Sequence, residues 1–382
     1  HVRRFDEAKQ YYTKAENMGT PAGDYSFYQL ALVAGLQKDY DGKVALLNRM
    51  ANKYPSSPYT INALYEKGRS YVQTSNSRQA IAAFKELLDK YPESPVSRKA
   101  AAEIGLLYYQ NDEYDRAIDA YKHVVTQYPG SEEARLAMRD LKSIYVDANR
   151  VDEFAALAAK MPGEIRFDAS EQDSLTYIAA EKVYMKREIA PAKSSFTRYL
   201  QSFPNGAFSL NAHYYLCVIG KEQKDEAAVL EHAGKLLEYP DNPYSQEALI
   251  ARAEILFNRK QFDQALNDYR QLKAKATTPE RRQLAETGML RSAALMQDTI
   301  AAATDLLAET KLTPELRNEA LYFRAKAYLN QRADKKAMND LQTLAKDTRT
   351  LYGAEAKYLV AQQLYKADEY TAAEKEILNF IY

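Results

Sequence analysis

The chain of 382 residues contains 52 Lys and Arg against 52 Asp and Glu, so its formal net charge is zero. A protein that binds the phosphate backbone of nucleic acids needs a basic surface, and this balance argues against one. No apolar run reaches the roughly 18 residues that a membrane-spanning helix requires, and the single cysteine, Cys217, cannot form an internal disulfide.

A Tyr-Pro pair recurs along the chain and sets its period. The pairs are Tyr54-Pro55, Tyr91-Pro92, Tyr128-Pro129 and Tyr239-Pro240, with Phe203-Pro204 as a variant, and the first three prolines lie 37 residues apart. Between Pro129 and Pro204 the gap is 75 residues, which is two repeats, and the intervening stop falls near Met161-Pro162-Gly163, while Pro279 and Pro314 continue the rhythm. Because proline cannot continue a helix, the pattern predicts helix ends at these points in an array of helical repeats.

The unit before the third Tyr-Pro pair contains two predicted helices. The first runs from Pro95 to Asn111, a turn spans Asn111 to Glu113, and the second helix runs from Tyr114 to Tyr128. Gly105 lies inside the first helix, where glycine costs about 1 kcal/mol relative to alanine, which predicts a close approach of the partner helix. Ala117 in the second helix is predicted to face it.

Two positions recur in the second helices. We call the small one the lock residue, and it is found at Ala8, Ala80, Ala117, Ala155, Ala192, Ala228, Ala265, Ala302, Ala337 and Ala373, whereas Lys43 stands where alanine is expected. A bulky wedge residue follows four positions later, at Tyr12, Phe84, Tyr121, Phe196, Tyr269, Leu341 and Ile377. The pattern predicts one continuous array over residues 1–382, with about nine complete helix pairs and partial units at the ends.

Gly105, Tyr108, Ala117, Tyr121 and Pro129 together resemble the tetratricopeptide repeat (TPR) family. The resemblance implies an all-α fold in which antiparallel helix pairs stack into a right-handed superhelix. The first helix of the Ala8 unit and an initiator Met are absent, and the last six residues are apolar, so the chain is expected to be a fragment of a longer protein.

The boundary sequence Tyr-Pro-x-Ser is similar to that of bacterial envelope proteins, namely the outer-membrane assembly lipoproteins and the coordinator of the Tol-Pal system. It is found at Tyr54-Pro55-Ser56-Ser57 and Tyr91-Pro92-Glu93-Ser94. This resemblance implies a scaffold in the periplasm or at the outer membrane. A cytoplasmic scaffold is the alternative.

We predict no catalytic, cofactor-binding or metal-binding residues, and therefore no enzyme. The four histidines, His1, His123, His213 and His232, have no ligand partner at helical spacing, and no glycine-rich phosphate loop is present. Two other functions remain open: a regulatory or targeting region of a larger enzyme, and a glycan-binding envelope protein. The absence of Trp counts against glycan binding.

The resemblance also predicts a surface for a protein or peptide partner. In the family the first helices line a concave groove, into which the residues three before and one after each small first-helix residue point. The candidate partner-binding residues are Tyr65, Arg69, Tyr177, Glu181, His213, Glu254, Tyr322, Lys326, Tyr358 and Gln362, and the same rule also selects Ala102, Leu106, Asp140, Ile144, Cys217 and Ile250. A Lys/Asn carboxylate clamp is not predicted, because the set contains no Asn.

We expect Tyr177, Tyr322 and Tyr358 to be partly exposed, because Tyr offers an apolar ring and a hydroxyl at low entropic cost. The alternative is that these tyrosines only pack between neighbouring first helices.

Overall fold

The computed structural model describes residues 4–19, 21–161, 163, 165–239, 241–296, 298–309 and 311–381. All regular secondary structure within these residues is helical. The predicted helix stops at Pro162 and Pro240, as well as His1 and Tyr382, lie outside the described residues.

The chain divides into two compact units, His1–Ser195 (unit 1) and Phe196–Tyr382 (unit 2). Unit 1 contains helices α1 (Phe5–Asn17), α2 (Gly23–Leu36), α3 (Tyr40–Lys53), α4 (Thr60–Gln73), α5 (Ser77–Lys90), α6 (Pro95–Gln110), α7 (Tyr114–Gln127), α8 (Glu132–Asp147), α9 (Val151–Lys160) and α10 (Ala169–Met185). The boundary between the units falls within α11 (Ile189–Ser202).

Unit 2 continues with the same kind of element. Its helices are α12 (Ser209–Gln223), α13 (Glu226–Leu237), α14 (Ser245–Asn258), α15 (Phe262–Lys275), α16 (Pro279–Leu295), α17 (Thr299–Leu307), α18 (Pro314–Asn330), α19 (Asp334–Leu344), α20 (Leu351–Lys366) and α21 (Tyr370–Ile381).

Helices pack in successive pairs joined by short turns. The pairs in contact include α2/α3, α4/α5, α6/α7 and α8/α9 in unit 1, and α12/α13, α14/α15, α16/α17, α18/α19 and α20/α21 in unit 2. First helices of neighbouring pairs are also in contact: α4 contacts α6, and α6 contacts α8. In each unit, we call the surface formed by its even-numbered helices the first-helix face. The predicted all-α solenoid of helix pairs is confirmed, whereas the handedness of the superhelix and the single continuous array stay predictions.

The Tyr-Pro pairs end second helices as predicted. Tyr54, Tyr91 and Tyr128 are the residues that follow the last turns of α3, α5 and α7. Pro279 and Pro314 behave differently, and their prediction as helix stops is wrong. Each is the first residue of a first helix, α16 or α18, where its missing N–H has no intrahelical partner to lose.

The turns inside the pairs α2/α3, α4/α5, α6/α7 and α8/α9 are also periodic and do not use glycine. Lys38, Ser75, Asp112 and Asn149 have positive φ angles of 64°, 57°, 60° and 57°. A single left-handed residue lets the chain reverse between two antiparallel helices, and a non-glycine residue there is uncommon. The turn therefore has one geometry in consecutive units.

Glycines in first helices make room for the wedge rings. A Cβ added to Gly68 would lie 2.4 Å from the ring of Phe84, and one added to Gly105 would lie 2.9 Å from the ring of Tyr121. The side chain that lies against Gly105 is thus Tyr121, while Ala117 is completely buried. The close approach predicted from Gly105 is confirmed, and the wedge occupies it.

Three of the predicted lock residues are shifted by one position. Phe154, Val229 and Ala303 are buried, whereas the predicted locks Ala155, Ala228 and Ala302 are only partly buried. Where the buried residue is large, as at Phe154 and Val229, the residue four positions later is a buried alanine, Ala158 or Ala233. Large and small side chains have exchanged places, which preserves the packed volume.

Lys43 occupies the lock position of the α2/α3 pair. It is buried and forms an ion pair with Glu66 of α4. A Cβ on Gly35 would come within 2.9 Å of the Lys43 side chain, so the glycine leaves space for the lysine stem. The departure from alanine is compensated on the facing helix and on the next one.

Candidate partner-binding surface

The candidates Tyr65 and Arg69 meet at a carboxylate on the next first helix. Arg69 Nη1 lies 2.7 Å from Glu103 Oε1, so the ion pair joins α4 to α6. Burial, and after it the charge of Glu103, raise the pKa of Tyr65. Sequence analysis missed Glu103, although it lies 34 residues from Arg69, close to one repeat.

A second connection of this kind joins α6, α8 and α10. Tyr109 donates a hydrogen bond to Asp147, 38 residues later, and Lys182 forms an ion pair with the same carboxylate. Burial opposes the charged carboxylate, but the hydrogen bonds from Lys182 and Tyr109 still hold the pKa of Asp147 below its usual value. The carboxylate is therefore occupied within the stack.

The expected exposure of Tyr177 and Tyr322 is wrong, since their exposed fractions are 4% and 8%. Tyr177 Oη lies 2.9 Å from Glu181 Oε1, so these two candidates are bonded to each other. Tyr322 donates to Glu355 on α20, and burial together with this bond raises the pKa of Tyr322 to about 12. Lys326 is exposed, with its Nζ 5.4 Å from the Tyr322 ring centroid. For these two tyrosines the packing alternative describes their position.

Tyr358 is the exposed member of the tyrosine set, at 58%. With Gln362 it lines a cavity of about 500 Å³ between α20 and α21, to which Tyr365, Tyr370 and Ile377 also contribute. The expectation of partial exposure is therefore confirmed for Tyr358.

Glu254 is exposed on α14. Burial of Tyr269, and after it the negative charge of Glu254, raise the pKa of Tyr269. Nearby, a cavity of about 410 Å³ is lined by Tyr269, Leu284, Thr287 and Arg291 among others. The sequence rule selected no residue of α16 and so missed this cavity. The glycine Gly288 within the helix was the available signal.

The remaining positions selected by the rule differ in their exposure to solvent. Ile144 and Cys217 are buried and cannot form part of an exposed surface, which corrects their assignment. Asp140 lies near the buried Tyr121, whose pKa is raised by burial and then by the charge of Asp140. Leu106 is 38% exposed on the first-helix face.

His213 contacts a second histidine across the α12/α13 pair. The Nδ1 atoms of His213 and His232 lie 3.0 Å apart, a distance at which one ring donates a hydrogen bond to the other. Burial, and then the charges of His232 and Lys235, lower the pKa of His213 to about 4, with Glu238 opposing the shift. Both rings are partly buried in this pair.

The His213 site predicts a pH-dependent stability of the α12/α13 pair. Because the folded pKa of about 4 is below the unfolded value of 6.5, the unfolded chain binds more protons between these values. Stability should be complete above pH 6.5 and fall as the pH drops towards 4, by less than the roughly 3 kcal/mol of the full shift, because solvent screens the partly exposed ring. Amide hydrogen exchange in α12 and α13 of the parent and the His213→Gln variant measures it. An identical pH dependence in both chains would contradict the prediction.

Across the described residues, no group of three or more His, Cys, Asp or Glu side chains is arranged to hold a metal ion. In the same part of the chain, no helix combines the length and the apolar character needed to cross a bilayer.

Comparison with known proteins supports the repeat assignment over part of unit 1. Residues 65–132 and residues 25–57 match two family models that are both described as tetratricopeptide repeat. These matches support the resemblance to the TPR family and do not distinguish the envelope type. No protein with a curated description matches the chain in sequence.

Solved structures with a similar fold include a complex of Naa15/Naa10 bound to HypK-THB, at 12% identity and a TM-score of 0.46, covering 99% of this chain. The present chain spans 61% of that structure's chain. A tetratricopeptide repeat protein from Parabacteroides merdae shows 12% identity, a TM-score of 0.34 and coverages of 70% and 98%. The TPR2AB-domain:pHSP90 complex of yeast Sti1 shows 13% identity and a TM-score of 0.34, and the match covers 72% of this chain and 100% of that chain. Similarity at this level carries no information about a partner.

Proposed function

We propose that this chain is a non-enzymatic scaffold that holds a protein or peptide partner on the first-helix face, at the bacterial cell envelope. The repeat architecture supports a binding role, because within each unit neighbouring first helices lie side by side and present a row of side chains to a partner. The Tyr-Pro-x-Ser boundary sequences, which are similar to those of bacterial envelope proteins, support a location at the envelope. Fractionation of native cells tests the compartment, and recovery of the chain in the cytosol alone would contradict it.

One strip of the first-helix face in unit 1 carries the proposal. Leu106 on α6 and Leu136 on α8 are 38% and 40% exposed. Lys99 and Arg139 on the same two helices are exposed, and within the described residues neither forms an ion pair. The neighbouring carboxylate Glu103, in contrast, is already bound by Arg69.

Helix geometry places these four side chains on one side of α6 and α8. The helices begin at Pro95 and Glu132, so Lys99 and Leu136 hold the same position in successive first helices, which are in contact. Leu106 lies two turns after Lys99, and Arg139 about one turn after Leu136. Glu132 is the exposed acid near this strip. Two unpaired cations beside two leucines favour a partner segment with bulky apolar and acidic side chains.

A displayed peptide library selected on the immobilised chain tests the proposal. We expect enrichment of sequences that combine Leu, Ile or Phe with Asp or Glu. The double variant Lys99→Glu/Arg139→Glu should reduce their capture about tenfold or more, because it replaces attraction with like-charge repulsion.

The matched control is Lys90→Glu/Lys160→Glu, which changes the net charge equally on exposed positions of the second helices α5 and α9. It should capture the selected peptides like the parent chain. Absence of any enrichment, or equal capture by both double variants, would overturn the assignment of this face.

A further inference from the structure

An open cavity of about 560 Å³ lies between α5, α6 and α7, on a different part of unit 1 from the strip of Lys99 and Leu106. Its apolar wall consists of Leu88, Ala101, Ile104 and Ala120. Ligand sites typically have volumes of about 300–1,000 Å³, mostly apolar walls and a few polar groups. The size and the wall both fit a binding site.

The next helix pair shows what fills this space. The second helices α5, α7 and α9 begin at Ser77, Tyr114 and Val151, and the first helices α6 and α8 begin at Pro95 and Glu132, so equivalent positions lie 37 residues apart. At the equivalent positions Ala101 is replaced by Met138 and Ala120 by Leu157. Met138 is completely buried, and Leu157 packs against the same hydrophobic cluster.

Each of the two sites contains an equivalent tyrosine, and the two tyrosines differ in exposure. Tyr145 in the filled site is 1% exposed, whereas the equivalent Tyr108 is partly exposed. The cavity over Tyr108 therefore corresponds to the volume that a methionine and a leucine side chain occupy one repeat later. An incoming side chain of similar size would complete the same packing.

The rim of the cavity carries two cations, Lys85 and Arg116, and one exposed carboxylate, Asp119. Lys85 Nζ and Arg116 Cζ lie 5.9 Å and 5.7 Å from the Tyr108 ring centroid, and Lys85 Nζ lies 3.4 Å from Tyr108 Oη. Among the described residues Lys85 has no carboxylate partner. Arg116 pairs with Glu113 at 2.7 Å in an exposed contact, which is weak. Asp119 and His123 complete the wall.

We propose that this cavity binds a partner peptide that inserts one bulky aromatic or aliphatic side chain and places an adjacent carboxylate near Lys85. The apolar wall accepts the inserted side chain, and the cations over Tyr108 select the acidic neighbour. This site is independent of the first-helix face proposed above, since it shares no residue with that strip.

Methyl-detected NMR titration of the whole chain with defined peptides tests the proposal, with the δ1 methyl of buried Ile104 as reporter. The probes are the capped peptides Gly-Asp-Phe-Asp-Gly, Gly-Lys-Phe-Lys-Gly and Gly-Asp-Ala-Asp-Gly. We expect a saturable shift with the first, at least about tenfold weaker binding of the second, and no saturable shift with the third.

Variants separate this site from others. Ala120→Leu reproduces the filled neighbour, so it should abolish the Ile104 response while keeping the helices folded. Lys85→Gln should weaken the acidic peptide several-fold, whereas the control Lys122→Gln, at the equivalent position of the filled site, should not.

Two outcomes would overturn the proposal: no saturable response to either phenylalanine peptide, or an undiminished response in Ala120→Leu. Equal affinity for the acidic and basic peptides would remove the carboxylate from the proposal. The variant Lys99→Glu/Arg139→Glu should respond like the parent chain, which keeps this test separate from that of the first-helix face.

Discussion

Replacing Asp268 with alanine is expected to destabilise the α14/α15 pair by about 3 kcal/mol. Asp268 is 1% exposed, and both of its carboxylate oxygens lie 2.7 Å from the guanidinium of Arg252. Removing the acid leaves a mostly buried cation without its partner, and breaking such a pair costs about 3–5 kcal/mol. The partial exposure of Arg252, 26%, favours the lower end.

Hydrogen exchange of the α14 and α15 amides measures this loss. The double variant Arg252→Leu/Asp268→Leu should recover most of it, because an apolar pair has no unpaired charge. The control Glu86→Ala removes a carboxylate from the exposed pair with Lys90 and should change stability by less than about 1 kcal/mol. Equal losses for Asp268→Ala and Glu86→Ala would contradict the prediction.

The Arg252–Asp268 arrangement is repeated two helix pairs later, in α18/α19. Arg324 and Asp340 form the same two-bond contact, with both distances 2.8 Å and the same separation of 16 residues. Among the described residues, the intervening pair α16/α17 has no such contact. There Thr304 accepts a hydrogen bond of 3.2 Å from Arg324. The Asp340→Ala variant therefore provides a second measurement of the same effect.

Replacing Gly68 with alanine is expected to destabilise the α4/α5 pair by a net amount of up to about 2 kcal/mol, although alanine has the higher helix propensity. The new Cβ would lie 2.4 Å from the Phe84 ring, which is completely buried, so the ring or the helix must shift. Overpacking of this kind costs about 1–3 kcal/mol, and the propensity gain of about 1 kcal/mol offsets part of it.

Gly234 is a matched control, because it also lies within a helix but has no atom within 4 Å of its added Cβ. Gly234→Ala should stabilise α13 by up to about 1 kcal/mol. Hydrogen exchange in α4, α5 and α13 of the two variants gives the comparison. If Gly68→Ala were as stable as the parent chain, the tight contact between Gly68 and Phe84 would be refuted.

Local chemistry explains why helix ends were predictable at some prolines and not at others. A proline ends a helix when it follows the last turn, as Pro92 follows Tyr91, and begins one when it follows an N-cap, as Pro279 follows Thr278. Both positions suit proline, because neither requires its N–H. Period alone does not separate them, whereas a preceding Ser or Thr does.

The lock positions of irregular units were not predictable to one residue. In the alanine-rich α17, Ala302 and Ala303 are equally good candidates in sequence, and a shift of one residue is decided by which side chain the facing helix covers. In α9 a large Phe154 takes the lock position because Ala158 leaves space one turn later. Such exchanges depend on two helices at once.

The sequence by itself determined that this protein is a stack of helix pairs, because the period of Tyr-Pro, small and bulky residues is a property of each unit alone. The tertiary structure decided which tyrosines of the first-helix face are exposed. Tyr322 is buried because α20 packs against it, with the Tyr352 ring 4.8 Å away and Glu355 accepting a hydrogen bond from its hydroxyl, while Tyr358 is exposed at 58%. Exposure depends on the neighbouring helix as well as on the position within one, so only the packed stack reveals it.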